Sequence, residues 1–105
     1  MFVVEVDGTE VLGPRLVELM EAIQVHGSVR RAARALGVGY RHAIARIRRA
    51  EDALAQPLVA RRAGGVAGGG AGLTPPAMHL MQRYQRVSRA LARIVQRAAP
   101  EILGP

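Results

Sequence analysis

Between Gly27 and Thr74 the chain sets two short runs of helical periodicity around a tight glycine turn, and that order leaves few folds open. Ser28 follows Gly27, and its hydroxyl can accept from the orphan backbone amides of a helix beginning at Val29. Val29, Ala32, Ala33 and Leu36 recur at helical spacing and form the inward face of that helix, leaving Arg30, Arg31 and Arg34 outside. Gly37-Val38-Gly39 makes the turn: Gly37 can take the left-handed conformation, and the small Ala33 lets two helices approach closely. A second helix runs from about Tyr40 to Leu54. Its apolar arc holds Tyr40, Ala43, Ile44, Ile47 and Leu54, and the opposite arc carries Arg41, His42, Ala45, Arg46 and Arg49. Pro57 prevents continuation and biases Gln56 to extended backbone. Leu58 to Arg62 then reads as a strand, residues 63–72 contain six glycines, and Leu73-Thr74 closes a hairpin. The succession is helix, turn, helix, wing.

The flanks complete a single domain spanning 1–105. Phe2 to Val6 is rich in β-branched residues, Asp7-Gly8 is a two-residue hairpin signal, and Thr9 to Leu12 can return as its partner. Pro14 suits the first position of a helix along which Leu16, Leu19, Met20 and Ile23 form one stripe. Pro75-Pro76 opens a last helix reaching about Ala98. Met81, Tyr84, Ser88, Leu91, Val95 and Ala98 alternate spacings of three and four, Leu80, Val87 and Ile94 lie beside them, and Arg83, Arg86, Arg89, Arg93 and Arg97 take the other side. The expected fold is mainly α with small β elements: a winged helix-turn-helix (14–74) with an N-terminal β-hairpin (1–12) and a long C-terminal helix (75–98). Such a helix, roughly 35 Å long at ~1.5 Å per residue, outruns the core of so small a chain. Its uncovered stripe calls for a partner, and a second copy is the simplest one. Leu16, Met20, Tyr84, Val87, Leu91, Ile94 and Val95 are the residues expected at that homodimer surface.

Charge placement narrows the function. All 15 basic residues are arginine, and the net charge is +7. From Ser28 to Arg97 fourteen arginines face only Glu51 and Asp52, a net +12, whereas Met1 to Gly27 sets Arg15 against five acids, a net −4. A basic body with an acidic edge implies a polyanionic partner. The absence of cysteine excludes a disulfide framework and a thiolate metal site. His26, His42 and His79 are too scattered for a metal site, the carboxylates are not paired for acid–base work, and no nucleophile has an evident base, so no enzyme and no cofactor is implied. The glycine-rich loop lacks the lysine and hydroxyl residue that a nucleotide P-loop requires. No apolar stretch approaches the ~20 residues of a membrane span, and no secretory signal opens the chain; the expected compartment is the cytoplasm.

The expected partner is double-stranded DNA. A helix fits the major groove, where all four base pairs are distinguishable. Arg41, His42, Arg46 and Arg49 can reach base edges or phosphates from the outer face of the 40–54 helix. Ala45 is small enough for close approach to a thymine methyl, and Tyr40 stands at the start of the same helix. Ser28, Arg30 and Arg31 sit at a helix N-terminus, which favours phosphate. Of the two arginines flanking the wing, one could pair with Glu51; Arg61 is expected in that structural role and Arg62 on phosphate. Two functions share these residues: a sequence-reading regulator, and an architectural binder that needs only backbone contacts.

The residues Gly27-Ser28, Ala32-Ala33, Leu36-Gly37, Tyr40-Arg41, Ala43, Pro57-Leu58-Val59, Arg61 and Leu73-Thr74-Pro75 resemble the N-terminal winged-helix domain of the ModE family of molybdate-responsive bacterial regulators. They resemble more distantly the DNA-binding domain of LysR-type regulators. The glycine-rich segment Gly64 to Thr74 is similar to the ModE-type wing. The resemblance covers about Leu12 to Leu91 and implies a dimer that represses or activates transcription. The chain departs from the pattern at Gly39 (usually serine), Ile44 (often tryptophan), Ala50 (leucine), Ala55 (glycine), and Val66 and Gly72 (often basic). The family's oxyanion-binding domains would follow the last helix, so a molybdate site of the family type is not expected within these 105 residues.

Overall fold

The computed structural model describes residues 2–62 and 70–105, the side chain of Arg62 excepted. The expected 63–72 wing therefore lies outside the described residues from Ala63 to Gly69. The element order is β1 (Val4–Val6), β2 (Thr9–Leu12), α1 (Pro14–His26), α2 (Val29–Leu36), α3 (Tyr40–Leu54), β3 (Val59–Arg62), β4 (Gly70–Leu73) and α4 (Pro75–Leu103). The two strand pairs form separate antiparallel hairpins, β1 with β2 and β3 with β4.

The first hairpin turns on Asp7 and Gly8, with φ of 51° and 79°. Positive φ at both central residues marks the turn whose twist matches the flanking strands. Glu5 stands opposite Glu10, a like-charge pair tolerated because both are exposed. Val11 and Leu12 turn inward while β1 stays exposed. The strand is shorter than the expected Phe2–Val6, because Phe2 is taken by α4. Its ring stacks on Tyr84 with centroids 4.3 Å apart. The Tyr84 hydroxyl donates to the Phe2 carbonyl at 2.5 Å and accepts from the Phe2 amide at 3.3 Å.

The core sits where α1 crosses α2 and α3. Leu19, Met20, Ile23 and Leu58 are its largest fully enclosed side chains. Ala32 and Ala33 of α2 and Ala43 and Ala50 of α3 are almost wholly buried, small side chains where the two helices join the core. Leu16 and Met20, expected at a dimer surface, are 2% and 0% exposed inside the protomer, and Tyr84 is 4% exposed beneath Phe2. These three belong to the chain's own core. Conversely Leu36, expected inward, is 39% exposed. It ends α2, where Gly37 at φ 69° diverts the chain, and it lines an open groove beside Arg15 and Glu18 of α1.

Three local devices fix the wing against the helices. Among the described residues Glu51 forms no ion pair with Arg61, and the Arg62 side chain lies outside them; the Glu51 Oε2 accepts from the backbone amides of Leu58 at 2.8 Å and Val59 at 3.3 Å, holding the entry to β3. Thr74 caps α4 by accepting from the Ala77 amide and donates to the Pro57 carbonyl at 2.7 Å, so the start of α4 is tied to the segment between α3 and β3. At the start of β4 the Ala71 amide donates to the Gly27 carbonyl at 2.8 Å. A Cβ on Gly70 would lie 2.7 Å from that carbonyl oxygen, so only glycine permits the approach.

Helix α4 has 29 residues, about 43 Å at ~1.5 Å per residue, and it accounts for much of the molecule's 61 Å long axis. It continues past Ala98 to Leu103, with Pro100 inside. Pro100 removes one ladder bond and crowds the preceding turn, yet only a single turn follows it, in an exposed stretch where water can satisfy the freed carbonyl. Ala77, Met81 and Tyr84 seal the core; beyond them Val87, Leu91, Ile94 and Val95 are 47%, 38%, 61% and 57% exposed.

Candidate nucleic-acid interface

Helix α3 is held by Ala43, Ile47 and Ala50, which face inward. At 3.6 residues per turn the opposite side falls on Arg41, Ala45 and Arg49, with Asp52 in the last turn, and all four are exposed. With Ala45 between them, two long guanidinium arms flank a low point on the helix surface. That shape suits approach to a groove floor.

Grooves run along both flanks. Between α3 and α1 lies a groove of about 380 Å³ lined by Arg15, Glu18, Leu36, Val38, His42 and Arg46. Between α3 and the wing lies one of about 520 Å³ whose polar lining comes from Ser28, Arg30, Tyr40, Arg48, Glu51 and Arg61. The outer arc expected for α3 thus divides. Arg41, Ala45 and Arg49 point outward, whereas His42 and Arg46 form a wall on the α1 side. Arg46 is half-buried there.

Arg30 and Tyr40 are brought together: the Arg30 guanidinium sits 4.2 Å from the centre of the Tyr40 ring. The contact bridges the start of α2 and the start of α3 and holds the Arg30 head over an aromatic face. Ser28 accepts from the Arg31 amide at 3.0 Å, so its hydroxyl is engaged as the helix cap, while Arg31 is exposed. Gly39 precedes α3 with no side-chain cap, leaving the first amides of α3 open to an external acceptor. Arg62 closes β3.

Arg48 is not evident from the sequence, because it stands beside the apolar arc of α3. Only the arrival of the wing turns that flank into a groove wall. Arg61, expected to be structural, is exposed on the same groove. The signal that could have found Arg48 is its position one turn after Ile44, on the side to which Glu51 anchors the wing. Among the described residues no group of three His, Cys, Asp or Glu side chains is placed to hold a metal, and no helix is long and apolar enough to cross a membrane.

Residues 14–78, which take in α1 to the first turn of α4, match the bacterial regulatory helix-turn-helix protein family of LysR type. The chain is 36% identical over 84 residues to the molybdenum-pterin-binding protein MopB of Rhodobacter capsulatus, covering 80% of this chain and 31% of that protein. It is 35% identical over 78 residues to the transcriptional regulator ModE of Haemophilus influenzae, covering 74% of this chain and 31% of that one. In three dimensions it resembles the crystal structure of ArgP from Mycobacterium tuberculosis, with a TM-score of 0.54 and 28% identity over 80% of this chain and 31% of that chain. The chain therefore spans about a third of the length of these relatives. From the matched segment and the helix–turn–helix–wing order that fills it, the chain belongs to the family of LysR-type bacterial regulatory helix-turn-helix proteins.

Proposed function

We propose that the chain is a sequence-specific DNA-binding module of a transcriptional regulator, cytoplasmic and working as a homodimer without catalysis. The observation that carries this is the outer face of α3, where Arg41, Ala45 and Arg49 stand exposed on a helix anchored from behind by buried alanine and isoleucine. In the proposed complex this face enters the major groove. Arg41 and Arg49 are the candidates for base edges, since arginine pairs bidentately with guanine. Arg30, Arg31, Arg48 and Arg61, with Arg62 at the wing, are assigned to phosphate, and His42 and Arg46 to the opposite backbone. Phosphate contacts fix the register and base contacts specify.

The homodimer rests on the second half of α4. Val87, Leu91, Ile94 and Val95 continue the stripe that Ala77, Met81 and Tyr84 bury in the core, but here no described residue of the protomer covers them. Pairing two such stripes would present two copies of α3 to half-sites about 34 Å apart, one turn of the duplex. ModE and MopB are named for regulation and for molybdenum-pterin binding; a link of this chain to molybdenum metabolism is proposed on that likeness alone.

The architectural alternative draws on arginines that reach well beyond α3. Selection of bound fragments from randomised duplex DNA, at about 150 mM salt to suppress purely electrostatic binding, separates the two. A two-fold symmetric motif is the expected result. Retained DNA with no enriched motif means an architectural binder and refutes the specific reading.

A further inference from the structure

Arg83, Arg86, Arg89, Arg93 and Arg97 are all exposed, and neither the recognition surface nor the apolar stripe of α4 uses them. At 3.6 residues per turn they fall within an arc about 120° wide, opposite the apolar residues. Between Gln82 and Arg97 the rest of that arc is Gln82 and Ala90. From Pro75 to Pro100 the helix contains no acidic residue at all, and Glu101 lies beyond the last arginine. Consecutive arginines three or four positions apart repel one another along a helix, so the stripe weakens α4 in the isolated protein. An acid at alternate positions would have relieved this.

The face is also unlike a protein-docking surface. Protein interfaces centre on apolar or aromatic anchors and are depleted of charge there; this arc offers no anchor larger than alanine. A phosphate backbone asks for less: a row of cations on a rigid support, indifferent to sequence. From Arg83 to Arg97 the row is about 21 Å long at ~1.5 Å per residue, facing a polymer that carries a charge every ~1.7 Å.

We propose that the arginine face of α4 binds the backbone of a second segment of duplex DNA, beyond the one addressed by α3. This rests on reading α3 as DNA-binding, and the test separates the two. A 20-bp duplex of random sequence is fixed to beads and saturated with the protein, and a second, labelled 20-bp duplex is then offered at about 100 mM salt. The intact protein is expected to retain the second duplex. The variant R86Q/R89Q/R93Q/R97Q is expected to bind the first within about three-fold of the parent and to retain at least ten-fold less of the second. The salt slope for the second duplex should fall by up to about 0.9 for each phosphate no longer neutralised. Replacing the same four arginines with lysine restores capture, since the backbone reads charge.

Capture by the glutamine variant at the parental level overturns the proposal, as does no capture by the parent or no rescue by lysine. Displacement of the second duplex by polyglutamate at a lower charge concentration than competitor duplex overturns it in favour of an acidic protein. Failure of the α3 reading looks different: R41A/R49A would then leave first-duplex affinity unchanged, while the four glutamines would remove DNA binding altogether.

Discussion

Helices α1 and α4 carry the same pattern and meet different fates. Leu16, Leu19, Met20 and Ile23 repeat at threes and fours on α1, and all are enclosed. Tyr84, Val87, Leu91, Ile94 and Val95 repeat the same way on α4, and only Tyr84 is enclosed. Periodicity establishes that a helix has an apolar side; it does not say what covers that side. Helix α1 is crossed by α2, α3 and β4, so its whole stripe is walled in. Helix α4 leaves the core after Tyr84, and the stripe runs on into solvent.

The contrast is sharpest at two isoleucines, Ile23 at 0% exposure and Ile94 at 61%. Ile23→Ala is expected to destabilise the fold by about 2–5 kcal/mol, the transfer loss plus an unfilled cavity. Ile94→Ala, measured by denaturant at concentrations too low for dimers, is expected to stay within about 0.5 kcal/mol of the parent. Comparable losses at both positions in the dilute monomer would break the comparison. A charge placed on the open half should act on assembly alone: Leu91→Arg is expected to sediment as a folded monomer. An unchanged mass would remove the α4 stripe as the intersubunit surface.

Smaller effects separate the devices that hold the wing from those that shape α3. Glu51→Ala strands two backbone amides at the entry to β3 and is expected to cost about 1–3 kcal/mol. If Glu51 served instead as an ion-pair partner, Glu51→Gln would cost nearly as much; on the present account the amide oxygen preserves most of the stability. Ala55 ends α3 with φ 54°, a conformation costing a non-glycine residue roughly 1–2 kcal/mol. Ala55→Gly relieves that strain but frees the unfolded chain, so a net gain of about 0.5–1 kcal/mol in thermal unfolding is expected. The smallest change is Gly39→Ser, a new cap on α3 worth a few tenths of a kcal/mol. No gain there would mean that the extended backbone at Gly39 does not orient a capping hydroxyl.

What the residues disclosed in advance was what is decided locally. Asp7-Gly8, Ser28 and Gly37 act through their own dihedrals and nearest amides, and each stands where the sequence places it. The limits of α3 follow from Gly39 and Pro57. What stayed hidden was decided by neighbours far along the chain. Leu16 and Met20 look like any exposed stripe until α2 and α3 are set against them. Leu36 looks buried, yet it faces the open groove between α1 and α3. The last helix, expected to reach about Ala98, runs on through Pro100 to Leu103. The candidate interface shows the same division. The outward turn of Arg41, Ala45 and Arg49 follows from helical rotation alone. The roles of His42 and Arg46 on one flank and Arg48 on the other depend on where α1 and the wing come to rest.

The central claim is that the outer face of α3 distinguishes DNA sequences. The direct measurement is the affinity of the parent, Arg41→Ala and Arg49→Ala for a selected site and for a scrambled duplex of equal length, at one salt concentration. Loss of a base-reading arginine should weaken the selected site by about 1–3 kcal/mol, roughly five- to two-hundred-fold, while the scrambled duplex weakens far less. Equal losses on both duplexes would show that these arginines touch only the backbone, and would contradict the claim.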